Sequence, residues 1–387
     1  MDRHATLTPE TRVVLALGAA RVDAAAIDDV VRLAPRVDWD AVVDAATAEG
    51  VAGLASLHLL ARPALRAAVP RTAVDRFAAV YARQWARNTV LAEHWNDTTR
   101  ALSSAGVAVI TLKGMALVRE VYPDLGVRPM VDIDLLVRPH DAARAIATLI
   151  DLGYRHGDAA LCEEQAARSF RQLVRDGAVV DLHWHLGRYP RVERAIRIDH
   201  DAVWDRARPL TASSLALGRE HGLLHLVHHV TYGSEFGRLV WFTDIAAVVD
   251  AWAEAIDRPA LIADARRWGL AGATHYALAA AAALGGRVPP DVLAALAPSH
   301  VRRAALDTCL GGLRPTSLAG GLPPWRTYLA ETLLVDRLAD LGRVLGWTAF
   351  PSATWLREHY GATSRWQRAA WRAMHPFRVA WLAARQR

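Results

Sequence analysis

Apolar residues recur with two different periods along this chain, and the changes of period divide it into three regions. In residues 1–104 they lie three or four positions apart, which is typical of amphipathic helices. Thr8, followed by a proline, predicts the start of the first helix, and a long helix is predicted from Thr72, as its N-cap, to Leu102. Helical spacing returns in residues 211–387. The pattern therefore predicts an N-terminal and a C-terminal helical region.

The region between them, residues 105–210, has short β-branched or alternating runs that are typical of strands. The predicted elements are strands at residues 107–112 and 131–137, helices at residues 114–122 and 141–152, and a hairpin of residues 169–175 and 178–186 around Asp176-Gly177. The predicted fold class is therefore α+β. A small mixed β-sheet forms the core, and the two helical regions flank it.

Composition limits the compartment in which the protein is expected. The chain has 387 residues, a net charge of +6 and two cysteines, Cys162 and Cys309, which are too few for a disulfide framework. Its first residues form no apolar segment of the kind found in signal peptides. We therefore expect a cytoplasmic protein.

The positive charge is concentrated in a tail, residues 364–387, which has no acidic residue. The tail contains six arginines, Arg365, Arg368, Arg372, Arg378, Arg385 and Arg387. The other 40 of the 46 basic residues equal the 40 acidic ones, so no broad nucleic-acid surface is expected. Between the arginines lie the aromatic residues Trp366, Trp371, Phe377 and Trp381. The tail is predicted either to bind an anionic membrane or a phosphorylated partner, or to dock on the body as a helix broken near Pro376.

Carboxylates follow the strand alternation in the central region. Asp132 and Asp134 share one face of the predicted strand at residues 131–137, about 6.5 to 7 Å apart. Asp181, His183 and His185 share one face of the predicted strand at residues 178–186. If the two strands are neighbours, three carboxylates meet and repel one another unless a cation binds them. Mg²⁺ prefers a few carboxylates together with substrate phosphates. We therefore predict a Mg²⁺ site and a phosphate-bearing substrate.

Lys113 is the only lysine in the chain, and it precedes Gly114 at the predicted start of a helix. Glycine lets the backbone approach a ligand closely, and a helix N-terminus directs free N–H groups at an anion. An ammonium at this position adds a compact positive charge. A phosphate-binding turn next to a carboxylate–metal cluster is the apparatus of phosphoryl or nucleotidyl transfer.

These motifs carry a resemblance that covers about residues 107–186. Leu112-Lys113-Gly114, a helix, Arg128, the run from Asp132 to Val137 and a later strand with Asp181 resemble the nucleotidyltransferase superfamily of DNA polymerase beta, especially the bacterial nucleotidyltransferase family proteins. The resemblance implies that Lys113 and Gly114 hold a triphosphate, that Asp132 and Asp134 bind metal and that Asp181 completes the site. The chain departs from the superfamily's Gly-Ser or Gly-Gly turn, since Met115 follows Gly114.

The resulting hypothesis is a metal-dependent transfer of a nucleoside monophosphate from an NTP to an unidentified acceptor, with release of pyrophosphate. Two Mg²⁺ ions, or Mn²⁺ in their place, are expected on the three acids. Arg128 is predicted either to bind phosphate or to balance the acids, and His183 and His185 either to lie behind the metal ligands or to be structural. The alternatives are a toxin-like nucleotidyltransferase that acts on RNA ends and a non-catalytic helical adaptor.

Other patterns favour structural roles or exclude other enzymes. The lone lysine does not lie in the Gly-Lys-Ser/Thr run of a P-loop, and no asparagine follows the candidate acids as a kinase requires. Four histidines, His221, His225, His228 and His229, have helical spacing, and we expect them to be packed or at the surface rather than to bind zinc. Two other Asp-x-Asp pairs are interpreted as an N-cap, at residues 38–40, and a polar connection, at residues 199–201.

Overall fold

The computed structural model describes residues 7–157, 169–187, 192, 195–233, 237–310 and 324–385. Two residues singled out above, Cys162 and Arg387, lie outside this description.

The N-terminal region is helical, as predicted. Its helices are α1 (Pro9–Leu17), α2 (Ala24–Leu33), α3 (Trp39–Ala48), α4 (Ala52–Ala61), α5 (Pro63–Ala68) and α6 (Arg71–Ser104), with a 3₁₀ turn at Ala34–Arg36. The side chains of Thr8 and Asp38 cap α1 and α3 by accepting hydrogen bonds from backbone N–H groups. Helix α6 begins at Arg71, directly after Pro70, so Thr72 lies inside the helix and its prediction as the N-cap is wrong.

The central region folds into one mixed sheet with helices. Its elements are β1 (Val109–Thr111), α7 (Lys113–Glu120), β2 (Ile133–Val137), α8 (Ala142–Asp151), β3 (Arg155–His156), β4 (Phe170–Arg175), β5 (Ala178–His183), α9 (His200–Asp205), β6 (Arg208–Thr211) and β7 (Ser214–Ala216). The strand order is β3-β4-β5-β2-β1-β7-β6. The pairs β2–β5 and β1–β7 are parallel and the other pairs are antiparallel. The predicted α+β fold class, a mixed sheet with helical flanks, is confirmed.

The turn residues of the hairpin of β4 and β5 explain why this hairpin could be predicted. Asp176 and Gly177 have φ angles of +51° and +79°, so both central residues of the turn are in the left-handed region. That is the conformation of a type I′ turn, which matches the twist of two paired strands and favours Asp-Gly. The predicted hairpin is therefore confirmed.

Two features of the region after β5 were not predicted. Asp199 accepts a hydrogen bond from the backbone N–H of Ala202 and caps α9, so residues 199–201 begin a helix rather than form a polar connection. Strands β6 and β7 form a second hairpin, and β7 pairs with β1 through Ile110 and Leu215. A three-residue strand is too short to show alternation, so the sequence pattern did not indicate it.

The C-terminal region is helical. Its helices are α10 (Arg219–His228), which continues as a π-helical turn (His229–Gly233), α11 (Leu239–Ala251), α12 (Arg258–Trp268), α13 (Ala271–Ala283), α14 (Pro290–Leu296), α15 (His300–Leu310), α16 (Pro324–Leu333), α17 (Leu338–Ala349), α18 (Ala353–Tyr360) and α19 (Arg365–Arg385). Helix α19 continues through Pro376, so the predicted break is wrong. The turn before the proline packs on α18, where Trp371 stacks on Tyr360 with ring centroids 3.9 Å apart and the Tyr360 hydroxyl lies 2.8 Å from Nδ1 of His375. Among the described residues, no helix has the length and apolarity needed to cross a membrane.

The sheet separates two apolar clusters. Ile133 and Leu135 point to one face, where they pack in a cluster with residues of α6 and α8. Ile110 and Leu136 point to the other face, which belongs to a larger cluster built from helices of both the N-terminal and the C-terminal region. Since Asp134 is two residues from Leu136, its side chain shares this second face. The division into residues 1–104, 105–210 and 211–387 stays a prediction.

Candidate active site

The predicted carboxylates meet on one face of the sheet. Strand β2 runs parallel to β5, and Asp134 lies directly beside Asp181 in the register. Both side chains are buried, with 5% and 3% of their surface exposed, and Asp132 lies two residues before Asp134, partly buried. One ligand atom each from Asp134, Asp181 and His183 lie within 4.8 Å of one another. The strands are therefore neighbours, which was the condition on which the metal-site hypothesis depended.

A single oxygen of Asp134 receives two neighbours. The Nζ atom of Lys113 lies 2.8 Å from Oδ1, and Nε2 of His183 lies 3.0 Å from the same atom. The ring of His183 stacks on Phe170, with centroids 5.3 Å apart, which fixes its orientation. Gln172 of β4 donates a hydrogen bond of 3.0 Å to Oδ1 of Asp181. The two central carboxylates are thus held in place by side chains from neighbouring elements.

The pKa values of Asp134 and Asp132 shift in opposite directions. Burial by itself raises the pKa of Asp134, but the charge of Lys113 and the hydrogen bond from His183 outweigh it and hold this pKa below its ordinary value. Burial, followed by the negative charge of Asp134, raises the pKa of Asp132 to about 7. The cluster therefore gathers more negative charge than Lys113 offsets. Its carboxylate oxygens are the donors that Mg²⁺ and Mn²⁺ prefer, so the residues fit such an ion.

The turn at Lys113 is strained and tightly packed. Lys113 has a φ of +41°, in the left-handed region that non-glycine residues rarely adopt. The N–H of Leu112 bonds to the carbonyl oxygen of Asp134 at 2.9 Å, which connects this turn to β2. A Cβ atom on Gly114 would lie 2.9 Å from Nη1 of Arg128 and 3.0 Å from Sδ of Met130. Close packing thus favours glycine at this position, and its contact with phosphate stays a prediction.

Arg128 is bound to an acid that the sequence analysis did not consider. Its Nε and Nη2 atoms donate hydrogen bonds of 2.8 to 3.0 Å to both carboxylate oxygens of Asp244 on α11, and both side chains are buried. The hydroxyl of Tyr122 donates to the same carboxylate at 2.7 Å. The two roles predicted for Arg128 were to bind phosphate or to balance the charge of the acids, and the ion pair with Asp244 was not predicted. Its charge still lowers the pKa of Asp132, while a contact with phosphate stays a prediction.

The two histidines after Asp181 lie in different surroundings. His183 contacts Asp134, as described above. His185 lies beyond the end of β5, and its ring packs edge-on against His200 with centroids 4.9 Å apart. His183 therefore lies at the carboxylates, whereas the ring of His185 contacts α9.

Helix α10 and the π-helical turn bring a group of buried and partly buried histidines near Lys113. Burial, and then the charge of Lys113, lower the pKa values of His225, His228 and His229. Neither ring nitrogen of His225 has a hydrogen-bond partner among the described residues. His221 instead bonds Asp264 at 3.2 Å and packs on Trp268. Of the four histidines, His221, His225 and His228 are buried and His229 is partly buried. Their helical spacing is visible in the sequence, but the position of His225, His228 and His229 near the lysine is not.

A small cavity lies between α7, β7 and α10. Its polar and aromatic lining residues are Thr111, Lys113, Glu120, Arg208, His225 and Trp252. Arg208 and Glu120 form an ion pair at its side. The cavity has a volume of about 30 Å³, which holds one or two water molecules, so a nucleoside does not fit inside it. Sequence reasoning missed the cavity because it did not predict β7.

Comparison with known proteins agrees with this geometry. A family model described as "Uncharacterised nucleotidyltransferase" matches residues 35–286, more than half of the chain, including the whole sheet. No curated protein matches the chain.

Proposed function

The chain belongs to the uncharacterised nucleotidyltransferase family and is a transferase, and on this premise we propose that it transfers a nucleoside monophosphate from an NTP to an acceptor. One observation carries the proposal: Asp134 and Asp181 lie side by side on parallel strands, with the ammonium of Lys113 on Asp134. One buried cluster thus contains acids that would bind a metal and a cation that would contact phosphate, which supports the proposal.

Asp132, Asp134 and Asp181 would hold one or two Mg²⁺ ions, and His183 adds a nitrogen to the same group. When bound, such ions neutralise the charge of a triphosphate and lower the pKa of an attacking hydroxyl. Burial and the negative charge of Asp134 raise the pKa of Asp132. A cation bound at the acids would favour the ionised carboxylate of Asp132, and this supports the assignment.

The protein's own residues would orient the reactants. Lys113 lies close enough to Asp134 to contact a phosphate bound at the same acids. Asp181, oriented by Gln172, would accept the proton of the acceptor hydroxyl. The acceptor oxygen would then bond to the α-phosphorus while the bond from that phosphorus to the bridging oxygen breaks, and pyrophosphate leaves.

Isothermal titration with a non-hydrolysable NTP tests this proposal. We expect binding that requires Mg²⁺ and that weakens by more than about 100-fold in Asp134→Asn and Asp181→Asn, since loss of groups behind metal ligands already costs 10- to 100-fold. Asp176→Asn, at the exposed turn of the same hairpin, is the matched control and should bind normally. Metal-independent NTP binding that survives both active-site substitutions would contradict the assignment.

The acceptor can be identified by labelling. Incubation of the protein with labelled NTPs and cell extract should transfer the label to one class of molecule, and Asp134→Asn should abolish the transfer. Label on RNA would support the RNA-end alternative. The neutral charge of the body outside residues 364–387 favours a different acceptor.

A further inference from the structure

A buried histidine lies beside the only lysine of the chain without a hydrogen bond from any described residue. His225 of α10 has 7% of its surface exposed, and both of its ring nitrogens lack a partner in the described part of the chain. Burial removes the hydrogen bonds that water would supply, so a buried ring of this kind needs another partner. Lys113 and His225 both line the small cavity between α7, β7 and α10. The cavity is therefore the space that these two side chains share.

The other hydrogen-bond acceptors among the side chains of the cavity are engaged. Both carboxylate oxygens of Glu120 accept hydrogen bonds from the guanidinium of Arg208. The hydroxyl of Thr111 accepts a hydrogen bond of 2.9 Å from Nε1 of Trp95. Burial lowers the pKa of His225 and keeps its ring neutral, and a neutral imidazole has one nitrogen that accepts. His225 thus offers the cavity an acceptor that no described residue uses.

A metal ion at the carboxylates would compete with the ammonium of Lys113. Nζ of Lys113 lies 2.8 Å from Oδ1 of Asp134. A divalent cation bound by Asp134 and Asp181 would repel this ammonium strongly, because both charges lie in a buried site. The flexible stem of lysine lets the ammonium rotate away while the backbone stays in place. A buried ammonium then requires a new acceptor, and a cavity that holds one or two water molecules has room for it.

We propose that His225 is a positioning residue for Lys113. When a divalent cation occupies the carboxylates, the ammonium leaves Oδ1 of Asp134 and enters the cavity, where a ring nitrogen of His225 accepts its hydrogen bond. The inference rests on the proposed function, because it requires a metal at these acids. The positive charge would then stay next to the metal site, from which it can contact a phosphate, instead of moving to solvent.

Titration of Mn²⁺ by electron paramagnetic resonance, without nucleotide, tests the role of the acceptor. His225→Leu removes the acceptor and keeps an apolar side chain in its place, so Mn²⁺ binding should weaken about tenfold, the lower end of the range for groups behind metal ligands. The amide oxygen of His225→Asn or of His225→Gln can replace Nδ1 or Nε2, and at least one of these variants should retain the affinity. His275→Leu, at a partly buried histidine of α13 that does not line the cavity, is the matched control. An unchanged affinity in His225→Leu would overturn the proposal.

Combination with Lys113→Ala distinguishes the proposed role from packing. Lys113→Ala has no ammonium to be moved, so the further substitution His225→Leu should leave its Mn²⁺ affinity unchanged. An equal loss of affinity with and without the lysine would overturn the proposal, because His225 would then support the acids through packing alone. Circular dichroism of each variant checks that the helices remain folded.

The displacement itself can be observed, since Lys113 is the only lysine of the chain. Lysine labelled with carbon-13 at Cε gives one side-chain signal in the NMR spectrum of the untagged protein. Saturation with Mg²⁺ should shift this signal and strengthen its nuclear Overhauser effect to the ring of His225, and His225→Leu should reduce the shift. A signal that Mg²⁺ does not move, in a protein that binds Mn²⁺, would overturn this inference and leave the proposed metal site intact. Absence of Mn²⁺ binding in the unsubstituted protein would overturn both.

Discussion

Asp134 combines burial with two contacts on one oxygen, which makes the choice of lysine at position 113 physically specific. A guanidinium is a planar fork that suits two acceptor atoms, whereas an ammonium is a point charge that can occupy one site beside His183. The chain otherwise uses arginine for its cations. With a left-handed backbone at Lys113, the ammonium reaches Oδ1 of Asp134 by a short path. This backbone conformation costs about 1 to 3 kcal/mol in strain.

Replacement of Lys113 should affect metal and nucleotide binding in opposite directions. A divalent cation and the ammonium compete for Oδ1 of Asp134, so Lys113→Ala should tighten Mn²⁺ binding without nucleotide by about tenfold, a difference of 1.4 kcal/mol. The same substitution should weaken NTP binding, because a charge beside the phosphates is lost. Titration of Mn²⁺ by electron paramagnetic resonance and calorimetry of NTP binding measure the two effects. Equal weakening of both would show that Lys113 organises the acids instead of competing for them.

At the scale of elements, the Arg128–Asp244 pair connects the loop before β2 to helix α11. Both side chains are buried, and their hydrogen bonds satisfy one another. A buried ion pair adds little to the free energy of unfolding compared with a pair of apolar side chains. Removal of one partner, however, leaves an uncompensated charge inside the protein. The position of the loop that leads to Asp132 therefore depends on a contact between residues 116 positions apart.

Single and double substitutions should separate these two costs. Arg128→Met should lower the free energy of unfolding by about 3 to 5 kcal/mol, because Asp244 stays buried and unpaired. Arg128→Met/Asp244→Leu should recover most of that loss in urea denaturation. Arg71→Met, which removes an exposed ion pair on α6, should have little effect. A double variant as unstable as Arg128→Met would show that the hydrogen bonds, rather than the charge, dominate.

The same distinction of local from distant contacts explains which elements could be predicted. The hairpin at Asp176 was predictable because its turn residues and its alternation are adjacent in sequence. The alignment of Asp134 with Asp181 could be stated as a condition, since alternation gives the face of each strand but not its neighbour. The pairing of β1 with β7 and the position of His225 beside Lys113 depend on packing between distant segments. Sequence periodicity contains no information of that kind.

At the scale of the whole molecule, helices from both ends of the chain share one apolar cluster with a face of the sheet. The carboxylates lie on that face, so the helical regions both stabilise the fold and enclose the site.

Enclosure by helices also buries histidines in their neutral form. Burial is the largest cause that lowers the pKa values of His58, His200 and His228 to about 4. His58 shows the structural reason, since Nε2 lies 2.9 Å from the carbonyl oxygen of Ala19 and Nδ1 lies 2.9 Å from Nη1 of Arg62. A second proton on this ring would face the guanidinium instead of an acceptor.

This arrangement predicts acid sensitivity with a definite sign. A histidine titrates near 6.5 in the unfolded chain, so between pH 6.5 and about 4 the unfolded state binds protons that the folded state excludes. The free energy of unfolding should therefore fall as the pH falls through this window, by about 1 to 2 kcal/mol at pH 5 for each such histidine. The pKa of Asp132 is raised to about 7, so protonation of this carboxyl stabilises the folded state as the pH falls and opposes the trend. It is one group, whereas several histidines act in the other direction.

Urea denaturation at pH 7.5, 6 and 5 measures the slope, and one histidine can be isolated within it. His58→Gln should lower stability at pH 7.5, because the side chain is buried and hydrogen-bonded, yet it should reduce the loss of stability between pH 7.5 and 5. His140→Gln, at a histidine whose side chain is largely exposed, is the control substitution. A slope that His58→Gln does not reduce would mean that this ring is protonated in the folded protein, with Arg62 displaced from Nδ1.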